Sequence, residues 1–389
     1  MKTIDDTDVR NRKVLVRADL NVPMEDGRIT DDTRIEASLP TLAYLREHEA
    51  ISAVCAHLGR PKGEVNQELS LRPVAERLSE LAGTELRSCG DCVGQSVREA
   101  VSEASPGDVL MLENTRFHPE EKANDADFAK ELAKPFDIFV NDAFGAAHRA
   151  HASTEGVAHH LPSVAGLLMV KEVEAVGSIR ANPAQPFIVI MGGAKVSTKL
   201  SVVRALIDEA DWILVGGAIA NTFLVADGKS VGQSTWEEDQ LEAAREILAA
   251  SGGKVQLPVD GVVAADVRDD AKIRTVSVDE IPDGWLKLDI GSETQKIFAQ
   301  CLSKAKTVVW NGPLGYSQVE SFSGGTRAIG ETVADLDALS VVGGGDTVAA
   351  LKSFGLSDRI SHLSTGGGAF LKLLETGELP AVDALEAGN

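Results

Sequence analysis

The sequence predicts an α/β protein built as two doubly wound (Rossmann-like) parallel-sheet lobes joined by a helix. Three observations carry that prediction. At 389 residues the chain exceeds one ordinary core, since a domain takes about 100 to 200 residues. Short apolar runs alternate with helical stretches, which is the rhythm of βαβ units. Nearly every strand of the second half ends in a glycine cluster, and sheets of this class bind ligands at the carboxyl ends of their strands.

In the first half, residues 14–16, 51–55, 109–112 and 138–140 are apolar runs that read as strands. Between them lie amphipathic stretches such as 34–50 and 71–83, with apolar residues recurring every three or four positions. A long helical pattern runs from Gly166 and stops near Pro183 and Pro186, giving a connecting helix over 166–182. The second half restarts the rhythm with strands at 187–191, 212–215, 307–310 and 339–342, followed by "GGAK", "GGAIAN", "NGPLG" and "GGGDT", and "STGGGAF" stands near the C-terminus. The lobes are therefore expected at 1–165 and 183–371.

Composition excludes several function classes. The 43% hydrophobic residues and 36 glycines fit a turn-rich globular chain rather than a fibre or a disordered one. With 59 acidic against 38 basic side chains the net charge is −21. Such a surface repels nucleic acid and anionic membranes, so neither is expected as a partner. No apolar stretch approaches the roughly 20 residues of a membrane span, and the N-terminus lacks a signal-peptide core, so a cytoplasmic location is expected. Four cysteines form no disulfide framework. Cys89 and Cys92 make one CxxC, and His148 and His151 one HxxH, but neither finds the partners that a zinc site requires. An anionic ligand would need the few basic residues concentrated where it binds.

They are so concentrated. In "VRADLNVP" an extended backbone would put Arg17, Asp19 and Asn21 on one face and Ala18, Leu20 and Val22 on the other. Polar groups at the end of a buried strand cost free energy unless they pair with each other or with a ligand. The strand-end loops of the same lobe add Arg34, His57, Arg60, Arg116 and Arg149. Guanidinium forks suit phosphate and carboxylate oxygens. Asp19 would accept a hydroxyl proton while Asn21 donates. The set fits a small hydroxy-acid phosphate.

The second half supplies the other kind of site. "GGAKVSTK" follows a strand and opens a helix, which would place backbone amides, Lys195 and Lys199 near bound phosphates. In "VVGGGDTVAAL" Asp346 stands at a helix start, where a carboxylate serves either as N-cap or as a ligand for Mg2+ on a nucleotide. The P-loop pattern GxxxxGK[ST] is absent from the sequence.

With these motifs in place, the sequence resembles the phosphoglycerate kinase family along nearly its whole length. "VLVRADLNVP", "HLGRPKG", "ENTRF", "DAFGAAHRAHAST", "GGAKVSTKL", "WNGPLG", "GGGDT" and "STGGGA" follow in the family's order. The resemblance implies reversible phosphoryl transfer between 1,3-bisphosphoglycerate and ADP, giving 3-phosphoglycerate and ATP, with Mg2+, in a monomer. It also implies that the C-terminal tail, about 372–389, returns to the first lobe. The family's acid-binding positions fall on Asp19, Leu20, Asn21, Arg34, His57, Leu58, Gly59, Arg60, Arg116 and Arg149. Its nucleotide positions fall on Gly193, Ala194, Lys195, Lys199, Gly217, Asn311, Gly312, Pro313, Gln318, Gly343, Gly344, Gly345, Asp346 and Thr347, with Asp346 toward the metal. Two departures stand out. Gln318 replaces the usual glutamate at the ribose, with Glu320 two residues on as a substitute if the chain is extended, and Ala218 replaces a third glycine.

A carboxylate nucleophile is ionised at neutral pH, so no general base is expected. The expected catalytic set is Arg34, Lys195, Lys199 and the helix-start amides at Gly345 and Gly367. Because acid and nucleotide groups lie on different lobes, the lobes are expected to close. A dehydrogenase would want a clean GxGxxG with an acidic residue about 20 positions on, which is missing. A nucleotide sensor would not require Arg34, Lys199 and Asp346 together. The acidic surface, finally, predicts a salt-rich cytoplasm and a halophilic enzyme.

Overall fold

The structure, a computed structural model, describes residues 1–387; Gly388 and Asn389, at the end of the expected tail, lie outside the described residues. The chain divides into two compact units, Met1–Glu174 with the segment from Glu378 onward, and Ala175–Gly377. The division falls inside the helix Leu167–Ala181.

The first unit holds a six-stranded parallel sheet in the order Leu86–Ser88, Val109–Met111, Ile51–Cys55, Lys13–Ala18, Ile138–Asp142, Ser163–Ala165. The strands Ile51–Cys55 and Ile138–Asp142 are buried along their whole length, as a sheet covered by helices on both faces requires. The helix Arg72–Ala82 shows how the sequence sets such an element. Pro73 sits in its first turn, Val74, Ala75 and Leu78 bury one face, and Gly83 ends it at φ 60°. The helix expected over 34–50 stops at Glu47, because Glu49 takes φ 55° and turns the chain into the next strand. The extended run expected over 17–22 likewise stops at Ala18, and Val22 N–H folds back on the Leu20 carbonyl at 2.9 Å. That turn buries Leu20 and Val22 in the core and leaves Asp19 and Asn21 at the strand's carboxyl end.

At the end of a neighbouring strand, Asp142 accepts from the amides of Leu168 and Met169 at 2.9 and 3.2 Å, capping the helix Leu167–Ala181. Burial raises its carboxyl to about 7.

The second unit holds another six-stranded parallel sheet, ordered Val255–Gln256, Trp212–Val215, Phe187–Met191, Thr307–Asn311, Leu339–Gly343, His362–Leu363. Trp310 is fully buried at its centre and donates to the Gly312 carbonyl at 2.8 Å, which fixes the glycine turn that follows the strand. A second, antiparallel sheet of Arg274–Ser277, Asp260–Ala264 and Leu286–Ile290 escapes the sequence pattern. Its edge strand Arg274–Ser277 has no buried residue, so no apolar run announces it. Among the described residues no helix is long and apolar enough to cross a membrane.

Candidate active site

In the first unit Asp19, Asn21, Arg34 and Arg116 are joined through hydrogen bonds around Gly59, and Arg17 holds His57 beside them. Its guanidinium is 1% exposed, donates from Nε to Ser153 Oγ at 2.8 Å, and meets His57 Nδ1 at 2.9 Å. A guanidinium can only donate, so Nδ1 accepts and His57 carries its proton on Nε2. Burial, then Arg17, Arg116 and Arg34, hold the imidazole well below its ordinary range, so it is neutral at pH 7. Ser153 passes the contact on: its hydroxyl and amide donate to the fully buried Glu121 at 2.7 and 2.9 Å.

Next to this support lie the candidate binding groups. Arg34 Nη1 donates to Asp19 Oδ1 at 3.1 Å and to the Asn21 carbonyl at 3.2 Å. Asn21 Oδ1 accepts from the Gly59 amide at 2.8 Å, which turns its NH2 outward as a donor. Arg116 Nη1 donates to the Gly59 carbonyl at 3.0 Å. Among the buried atoms here without a hydrogen-bond partner are Asp19 Oδ2 and Arg116 Nε. One orphan accepts and the other donates with a positive charge. Burial, then the cations of Arg17 and Arg149, lower Arg116 to about 10, the mark of cations crowded without an anion. Arg60 and Arg149 are exposed, and Arg149 Nε meets His148 at 3.0 Å. Leu20 and Leu58 bury their side chains in the core, leaving only backbone for a ligand.

In the second unit, Gly193, Ala194, Gly217, Pro313, Gln318 and Asp346 line one cleft of about 310 Å3. Asn311 Nδ2 is buried without a partner beside Gly344, whose φ of 97° needs glycine. The Gly312 amide donates to Thr347 Oγ1 at 2.8 Å, tying two glycine turns together. Helices begin at Gly345 and Gly367, as expected. Lys199 is buried with its Nζ on the Gly192 carbonyl, and burial lowers it to about 8, with Asp346 opposing. Lys195 is exposed.

One expectation is corrected. The helix Ser197–Leu206 does not offer its first amides to phosphate, because Glu237 already accepts from Val196 and Ser197 N–H at 2.9 and 3.1 Å. A second concerns Glu320. The chain is not extended there: Glu320 opens a 3-10 turn and pairs with Arg327 at 3.1 Å, while Gln318 alone of the two lines the cleft. Gln318→Glu is therefore expected to tighten nucleotide binding about fivefold, since hydrogen bonds to charged groups contribute about 1 kcal/mol more than neutral ones. Titration calorimetry with ADP would show it, and unchanged affinity would mean that the amide already makes the contact in full.

Among the described residues Asp91, Cys92 and His118 bring ligand-type atoms within 4.8 Å of one another. His118 Nε2 sits on Asp91 Oδ1 at 2.7 Å, an ion pair that raises the imidazole, and burial keeps the Cys92 thiol protonated. Cys89 is half-buried just past its strand, whereas Cys92 is fully buried.

The chain matches the family model for phosphoglycerate kinase over residues 4–377. It belongs to the phosphoglycerate kinase family. The phosphoglycerate kinase of Moorella thermoacetica is 52% identical over 386 residues, covering 98% of each chain, and that of Pelotomaculum thermopropionicum is 51% identical over 387 residues, covering 99% of this chain and 98% of the relative. Among solved structures, phosphoglycerate kinase from Coxiella burnetii matches with a TM-score of 0.87 at 41% identity, covering 99% of this chain and 98% of the other. Phosphoglycerate kinase from Pyrococcus horikoshii matches with 0.90 at 34% identity, covering 100% and 99%. Sequence reasoning missed Ser153, Glu121 and Glu237 in this phosphoglycerate kinase family member. Each acts through a contact far along the chain, which no local pattern displays.

Proposed function

We propose that this kinase transfers a phosphoryl group reversibly between 1,3-bisphosphoglycerate and ADP, giving 3-phosphoglycerate and ATP. The single observation that carries the acid half is the pair of buried orphans, Asp19 Oδ2 and Arg116 Nε. A hydroxy-acid phosphate satisfies both, with its hydroxyl on the carboxylate and its anion on the guanidinium. Arg34, His57 through its Nε2–H, Asn21, Arg60 and Arg149 complete the set, with the amides near Leu20, Leu58 and Gly59. On the other unit the nucleotide takes the cleft of Gly193, Ala194, Gly217, Asn311 to Pro313, Gln318 and the run Gly343 to Thr347.

Transfer needs no proton abstraction, because the attacking carboxylate is already ionised. Arg34, Lys195, Lys199 and the amides at Gly345 and Gly367 stabilise charge on the moving phosphoryl group. The Asp346 carboxylate is exposed in the nucleotide cleft, and a hard oxygen ligand there suits Mg2+. The ion would supply charge neutralisation on the phosphates. Acid and nucleotide residues belong to different units, so transfer requires closure, and closure excludes the water that would hydrolyse an acyl phosphate. For oligomeric state and location the reading is a monomer in the cytoplasm. A coupled assay of 3-phosphoglycerate with MgATP tests the proposal: steady turnover supports it, whereas ATP binding without turnover at any salt concentration would turn the protein into a sensor.

The net charge of −21 adds an expectation about conditions. Self-repulsion weakens the compact state when counterions are scarce, and both substrates are anions. At about 1 M salt the screening length falls to roughly 3 Å, so distant carboxylates cease to act while contacts within the buried arginine cluster weaken less. Stability and turnover are expected to rise from low to molar KCl. Maxima near 0.1 M, with steady loss above, would place the protein among ordinary acidic enzymes.

A further inference from the structure

Lys287 puts a cation in the wall of the second unit's cleft. It lies on the strand Leu286–Ile290, is 5% exposed, and lines the same cleft as Gln318 and Asp346. Room for it is built in: a Cβ on Gly261 of the paired strand would lie 2.7 Å from its Cγ and 2.9 Å from its Cδ. Gly261 is not at positive φ, so space rather than backbone conformation accounts for the glycine. The stem is thus seated, but the ammonium is poorly served. Its hydrogen bond to protein is to the Gly217 carbonyl at 3.4 Å, longer than a good N–H···O bond. The carboxylate of Asp289, on the same strand, already accepts from the amides of Ile290 and Gly325 at 2.8 and 2.6 Å. A buried cation so weakly partnered is costly unless a ligand supplies acceptors.

A second orphan lies in the same cleft. Asn221 Nδ2 donates to the Thr235 carbonyl at 3.1 Å, which leaves its buried Oδ1 without a donor. Phosphates belong at the end carrying Gly193 and Asp346, so the base belongs at the end where Leu286, Leu288 and Tyr316 supply apolar walls. That end presents a donor-only ammonium and an unfilled amide oxygen. Guanine offers the complement, with O6 and N7 as acceptors and N1–H and the 2-amino group as donors, and lysine on O6 and N7 is a favoured pairing. Adenine shares N7 but puts an amino donor where guanine has O6, so it offers the ammonium one acceptor in place of two.

We propose that Lys287 determines base specificity in this chain, donating to the O6 and N7 edge of a 6-oxopurine so that guanine nucleotides are used at least as well as adenine nucleotides. The proposal rests on the reading of this cleft as the nucleotide site. Its test is the ratio of GTP to ATP in kcat/KM, together with the ratio of GDP to ADP in affinity by titration calorimetry, for the parent, Lys287→Met and Lys287→Gly. In the parent both ratios are expected to reach or exceed unity, and both should fall about tenfold in either variant that retains the parent's thermal transition. The parent ratios need no variant, so a substitution that fails to fold leaves the question answerable. Guanine nucleotides used more than about tenfold worse than adenine nucleotides by the parent, or ratios unchanged in a folded variant, overturn the assignment of Lys287 alone. A parent that binds neither nucleotide overturns the reading of the cleft, and this inference with it.

Discussion

Lys199→Ala is expected to lower kcat by about 100- to 1,000-fold while changing KM for either substrate only a few-fold, the loss of about 2.7 to 4 kcal/mol that follows removal of one preorganised charge-stabilising donor. The magnitude follows from where the ammonium sits. Lys199 is 7% exposed, and its Nζ lies against the Gly192 carbonyl among turns that leave no room for side chains. A Cβ on Gly193 would stand 2.7 Å from it. In the proposed mechanism such a cation acts at low dielectric on charge that develops during transfer, whereas the exposed Lys195 would act through water and should matter less. Burial also sets the pH dependence. It lowers Lys199 to about 8, so the folded state holds the cation at a cost below that pH, and the cost disappears as pH rises through the folded value toward the unfolded one. Stability contributed by this group therefore grows on the alkaline side, while catalysis, which needs the cation, declines there. kcat/KM is expected to fall above about pH 8. Lys199→Arg should retain part of the turnover and displace that limb upward. A loss confined to KM in the alanine variant, or an unmoved limb in the arginine variant, would reduce Lys199 to a binding residue.

The arrangement of strands and helices was legible because burial on both faces of a parallel sheet writes continuous apolar runs, and 187–191 or 51–55 cannot be mistaken for a surface segment. The candidate site was legible for the opposite reason, since Asp19, Arg34 and Arg116 are charged groups at the ends of apolar strands, and the structure gathers them into one cluster. What stayed hidden are groups whose meaning depends on a partner remote in sequence. Glu237 lies 41 residues from the amide of Val196 that it satisfies, and an isolated glutamate in an acidic chain carries no signal. The antiparallel sheet was hidden because its edge strand Arg274–Ser277 buries nothing and its other two strands carry Asp260, Lys287 and Asp289 at buried positions, so no apolar run marks them. Glu320 misled because spacing alone suggested a shared face, whereas a 3-10 turn and Arg327 claim it.

Arg17→Met is expected to destabilise the first unit by about 3 to 5 kcal/mol, and to weaken 3-phosphoglycerate binding in whatever fraction remains folded. Arg17 is the cation within the strand Lys13–Ala18, and its register neighbours are Cys55 and Asn141 on the adjoining strands. None of these can replace its charge. Through Ser153, whose hydroxyl accepts from Arg17 Nε and donates to Glu121, it offsets a carboxylate that has no exposure to water. Methionine fills much of the volume, so the loss reports the uncompensated carboxylate and the unpaired Ser153 oxygen more than a cavity. The same substitution frees His57 Nδ1, and the imidazole is then no longer held with its proton on Nε2 toward the ligand side. It also removes the second of the influences that depress His57, so its affinity for protons should rise. In the parent that depression opposes folding at low pH, because the unfolded chain binds a proton that the folded imidazole refuses, and stability is lost as pH falls through the ordinary histidine range. The acid-side loss due to His57 should accordingly be shallower in Arg17→Met. Arg17→Lys separates charge from geometry: one ammonium can restore the offset to Glu121 but cannot reach Ser153, His57 and the Ala18 carbonyl with the fixed fork of a guanidinium. It should recover much of the stability in urea titration and little of the acid affinity. Full recovery of both, or an Arg17→Met protein as stable as the parent, would mean that Glu121 is satisfied by Ser153 alone and that the cation beneath the site is dispensable.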